Sequence, residues 1–128
     1  MFNYKFFLLA GTLFGALGVV AGAFGAHALR KSLSPELLSA YQTGVQYQLI
    51  HALALIAIAL AARDLAGPWL TGAGIFIFAG VVLFSGSLYI LSLTSIRFVG
   101  IITPIGGLAF VIGWLLFFMS AWKFENPL

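Results

Sequence analysis

Every charged residue in this chain lies at or beyond the end of a long apolar stretch. Four such stretches follow one another, at residues 6–29, 45–62, 69–91 and 99–122. Arg30-Lys31, Arg63-Asp64, Arg97 and Lys123 stand between or after them. A helix needs about 20 apolar residues to cross the hydrocarbon core of a bilayer. The composition agrees: 62% of the residues are hydrophobic and 7% are charged, where a soluble domain carries about 25% charged residues. The chain is therefore expected to be all-α and polytopic, with four transmembrane helices in an up-down-up-down bundle and one domain over residues 1–128. The first stretch exceeds the roughly 7–15 residues of a signal-peptide core, so it is read as a retained span.

The second span is expected to start well before its apolar part. Ser34-Pro35-Glu36 reads as a helix start, with serine at the cap and proline in the first turn. One continuous helix over 36–62 follows, its first turns at the membrane interface.

The first span carries a stripe of Gly11, Gly15, Gly18, Gly22 and Gly25. Spacings of four and three put all five on one helical face. In water each would cost about 0.8–1.0 kcal/mol relative to alanine; in a bilayer such a face lets a second backbone come close. Small residues recur at heptad spacing elsewhere: Gly44 with Ala54 and Ala61, Gly72 with Ala79 and Gly86, and Gly106 with Ala109 and Gly113. Gly107 adjoins the last set. These faces are expected to pack helices together. The upper glycines, Gly22 and Gly25, are expected at the level of His51. On that reading Gly25→Leu disturbs the His51 surroundings and Gly11→Ala is tolerated.

The polar residues inside the spans gather at the end away from the termini. His27 closes the first helix there. Gln42, Tyr47, Gln48 and His51 descend the second, Ser85, Ser87 and Tyr89 approach on the third, and Thr103 opens the fourth. Tyr47 and Gln48 lie four and three residues before His51, so they neighbour it on a helix. A polar group at this depth needs a partner. Three uses are open: a hydrogen-bond network that fixes helix register, a small-molecule, lipid or proton site, or haem held by His27 and His51.

Known catalytic layouts are missing. The acids are Glu36, Asp64 and Glu125, all near helix ends. Ser85-Gly86-Ser87 lacks the flanking glycines of a nucleophile elbow, and no lysine follows Gly106-Gly107 as a phosphate loop requires. No cysteine is present, which removes disulfides and thiolate chemistry. The chain is read as non-enzymatic, with no cofactor, no metal and no nucleic-acid partner. Its partners are the lipid bilayer and either a second copy or another membrane protein.

Five segments stand in order: Gly22-Ala23-Phe24-Gly25-Ala26-His27; Gln42-Thr43-Gly44 with Tyr47, Gln48 and His51; Leu83-Phe84-Ser85-Gly86-Ser87-Leu88-Tyr89; Thr103-Pro104-Ile105-Gly106-Gly107; and Gly113-Trp114. Over nearly its whole length the chain resembles the YgdD-like family of small bacterial inner-membrane proteins, which has a related eukaryotic transmembrane branch. That resemblance implies a four-helix protein of the bacterial cytoplasmic membrane. It implies no activity, because the function of the family is unknown, and it supplies no site residues. It also implies cytoplasmic termini, whereas the basic residues divide three against three between the two faces and do not set orientation.

Overall fold

A computed structural model describes residues 4–125. Four helices are long and apolar enough to span a membrane. Helix α1 is Tyr4–His27, and a single 3₁₀ turn, Leu29–Lys31, follows it. Helix α2 is Pro35–Leu65. Ser34 caps it, with its hydroxyl accepting the Leu37 N–H at 3.3 Å. Proline in the first turn has no N–H to leave unpaired. Helix α3 runs over Pro68–Thr94 and contains a π-helical turn at Val81–Ser85. A 3₁₀ turn, Arg97–Ile101, leads into α4, Ile102–Trp122.

Helix α1 packs mainly on α2, α4 mainly on α3, and α2 lies along α3. Within the most apolar window of each span, 39% of the residues are buried in α2 and in α3, against 17% in α1 and 22% in the last span. Helices α2 and α3 are thus central, and α1 and α4 sit on the outside. Leu13, Leu17 and Val20 of α1, and Leu108, Leu115 and Phe118 of α4, face outward. A surface this apolar is matched by lipid rather than water.

The core fills by placing rings in notches. Phe7 is fully buried, and its ring occupies the space a side chain at Gly74 would take. Phe110 does the same at Gly80. Leu55, Ile58, Leu70 and Ile77 belong to the same cluster. Nearer the other end, Leu29, Tyr41 and Val45 form a smaller one.

The connection between α2 and α3 is tied down from α1. Gly67 has φ 154°, a conformation that a side chain would strain. Its N–H donates to the Tyr4 hydroxyl at 2.9 Å, and that hydroxyl lies 2.8 Å from Thr71 Oγ1. Every connection in the bundle is short, so neighbouring helices run antiparallel.

Candidate polar site

Gln48 lies at the centre of the bundle, 5% exposed. Its amide nitrogen donates to the Phe14 carbonyl of α1 at 2.8 Å. Its amide oxygen accepts the Tyr89 hydroxyl of α3 at 2.5 Å. One side chain of α2 therefore joins three helices. Two turns away, Tyr41 of α2 donates to the Ala21 carbonyl of α1 at 2.5 Å. Its ring lies 5.3 Å from that of Tyr89.

The π turn sets the directions of the α3 hydroxyls. Such a turn inserts an extra residue into the helical repeat. Ser85 consequently faces α2 and donates to the Gly44 carbonyl at 2.7 Å. Ser87 faces α4 and lies 2.6 Å from Thr103 Oγ1. Because the Ser87 hydroxyl donates to the Phe84 carbonyl, Thr103 is the donor in that pair. On the same stretch the α4 backbone presses close: a Cβ at Gly106 would lie 2.8 Å from Phe84 Cα.

His51 is 4% exposed and connects α2 to α4. The Trp114 indole N–H donates to its Nε2 at 2.9 Å. Indole nitrogen is a donor only, so Nε2 is the bare nitrogen and the ring proton sits on Nδ1. That nitrogen donates to the Tyr47 carbonyl at 2.7 Å. Phe110 stacks on the imidazole with centroids 3.6 Å apart. A neutral imidazole with both nitrogens occupied has no lone pair left for a metal.

These positions bear directly on the residues picked out from sequence. Gln48, Ser85 and Tyr89 meet in one cluster, Ser87 pairs with Thr103, and His51 stands in a separate contact with Trp114. Tyr47 takes part through its carbonyl, while its ring is partly exposed beside Phe84. Gln42 is exposed. His27 is exposed at the end of α1, where Gly25 already abuts Tyr41. His51 lies ten residues beyond Tyr41, roughly 15 Å farther along α2 at 1.5 Å per residue. The two histidines are not brought together, so a shared haem does not fit.

The glycine stripe also needs correction. A Cβ at Gly11 would stand 2.8 Å from the Ala52 carbonyl oxygen, one at Gly18 2.6 Å from Leu49 Cδ2, and one at Gly25 2.5 Å from Tyr41 Cε1. These three form the true contact with α2. Gly22 is looser, with Val45 at 3.3 Å, and Gly15 meets nothing. Gly11 is therefore not a tolerant position. Gly25 is a neighbour of Tyr41 rather than of His51, and the glycine level with Gln48 is Gly18. Elsewhere Gly44 seats Tyr89, Gly113 seats Ile77, Gly107 makes ordinary contact with Phe84, and Gly86 meets nothing.

Trp114, Tyr4 and Thr71 make polar contacts that sequence reasoning left out. Trp114 was legible as part of Gly113-Trp114, seven residues after Gly107 and so on the same face of α4. Tyr4 and Thr71 carried no signal, since their pairing joins residues 67 apart.

Comparison with known proteins agrees with this architecture. The family model described as "Protein of unknown function (DUF423)" matches residues 21–107. The UPF0382 membrane protein YwdK of Bacillus subtilis is 47% identical, over 94% of this chain and 98% of its own length. The UPF0382 membrane protein SH2409 of Staphylococcus haemolyticus is also 47% identical, over 94% and 98%. The UPF0382 inner membrane protein YgdD of Escherichia coli is 38% identical, over 95% and 93%. No solved structure matches the chain.

Proposed function

The chain belongs to the DUF423 family of unknown function, as a multi-pass protein of the bacterial cytoplasmic membrane, and on that premise we propose that it works by packing rather than by catalysis. Its four helices form a rigid unit that associates with a second copy or with another membrane protein. The observation that carries this reading is the completeness of the internal pairing. Among the described residues, no buried side-chain nitrogen or oxygen lacks a hydrogen-bond partner. A catalytic or transport site keeps polar groups available to a substrate. Here Gln48, Ser85, Ser87, Tyr89 and His51 are spent on one another, on backbone carbonyls and on Trp114.

The outer helices support the same reading. Helices α1 and α4 present apolar side chains outward along their length, and this is where another helix can be received. Association in a bilayer rests on close van der Waals contact, and Gly15 leaves an unfilled notch at the edge of the α1–α2 contact. The test is the mass of the full-length protein in lipid nanodiscs. A dimer, a higher oligomer or a stoichiometric membrane partner is expected. A monomer that retains no partner from native membranes would overturn the proposal.

A further inference from the structure

Helices α1 and α3 touch through the stack of Phe14 on Phe78. The gap between them is a crevice of about 350 Å³. Phe14 and Leu17 form its α1 wall, Val82, Gly86 and Tyr89 its α3 wall, and Gln48 lies between. Below it a second crevice of about 400 Å³ continues along the same seam, and Phe14 belongs to both. We infer that the upper crevice is a binding site for one acyl chain of a membrane phospholipid.

Three observations carry this. First, the crevice lies between residues of spans that cross the hydrocarbon layer. An apolar space does not hold water, and an empty one forfeits dispersion contacts along its lining. Second, the polar groups at its edge are already satisfied: Gln48 by Phe14 and Tyr89, Ser85 by Gly44. The lining therefore suits a hydrocarbon chain and offers little to a polar ligand. Third, Gly86 opens the space. A Cβ there would meet nothing within 4 Å, so this glycine serves no helix contact within the chain. It follows the π turn at Val81–Ser85 and lines the seam. The surrounding bilayer supplies hydrocarbon chains at this depth, and the apolar lining gives one of them dispersion contact. The inference does not depend on the oligomeric state proposed above.

The test uses the full-length protein in nanodiscs of phosphatidylethanolamine and phosphatidylglycerol. These contain a trace of phosphatidylcholine carrying a diazirine in the middle of one acyl chain. After photolysis, labelling at Phe14, Val82 and Tyr89 is expected to exceed that at Val20 and Leu115, which face open lipid. Gly86→Leu places a side chain in the crevice from a position where a Cβ meets nothing within 4 Å, and it should lower the crevice labelling several-fold while leaving Leu115 unchanged. Val82→Trp, at a half-exposed position on the same wall, should have the same effect if Gly86→Leu fails to fold. Uniform labelling of crevice and outer surface would overturn the inference. So would labelling unaffected by both substitutions, or cross-links from these positions to a second copy in place of lipid.

Discussion

A histidine deep in a membrane helix suggests proton transfer or metal binding. The hydrogen bonds of His51 instead support the structural role proposed for it. Its ring is neutral with the proton on Nδ1, accepting from Trp114 and donating to Tyr47. Nitrogen-15 spectra of the protein in nanodiscs should show His51 with Nδ1 protonated and Nε2 bare. Trp114→Phe removes the donor and should cost about 0.6–1.7 kcal/mol, the range for hydrogen bonds between membrane helices. It should also shift the His51 resonances toward a mixture of tautomers. A wild-type ring with its proton on Nε2 would refute the assignment. His27 makes the contrast: exposed at a helix end, it should tolerate replacement by glutamine with no loss of stability.

At the scale of helices, each glycine is judged by what stands opposite it. Gly11→Ala drives a methyl group onto the Ala52 carbonyl, and overpacking of this kind costs typically 1–3 kcal/mol. Gly15→Ala adds a methyl group to open space and removes a poor helix former, so it should be neutral or stabilising by up to ~1 kcal/mol. Thermal unfolding in mild detergent separates the two, and equal losses would mean that α1 faces α2 differently. The heptad spacing was enough to place Gly11, Gly18 and Gly25 on one face, because a regular α-helix preserves phase over three turns and more. It could not rank them, since the ranking depends on Ala52, Leu49 and Tyr41 across the interface. The same logic failed on α3. Gly72, Ala79 and Gly86 share a face only if the helix is uniform, and the π turn between them breaks the phase. Gly72 meets Leu116 of α4 and Gly86 meets nothing. Gly74 and Gly80 have no stripe to announce them, because the rings they receive come from Phe7 and Phe110 on other helices.

For the molecule as a whole, apolar length and charge placement made four spans and their alternating direction legible, because the bilayer fixes both. Loop shortness led to the expectation that the polar residues gather at one end of the bundle, but Gln48 and His51 meet Phe14 and Trp114 near the middle of the outer helices. What the sequence did not reveal was their partners, since many of the bonds end on backbone carbonyls that no residue type marks. The result is a set of polar links running from α1 through α2 and α3 to α4, with Gln48 as the side chain that reaches both α1 and α3. The central claim is that these residues hold the bundle together and serve no substrate. The most direct measurement is a double-mutant cycle on Gln48→Leu and Tyr89→Phe, read as unfolding free energy in lipid bicelles. Each single substitution should destabilise the fold, and the pair should couple by about 0.6–1.7 kcal/mol. Full stability in both single variants, with no coupling between them, would contradict the claim.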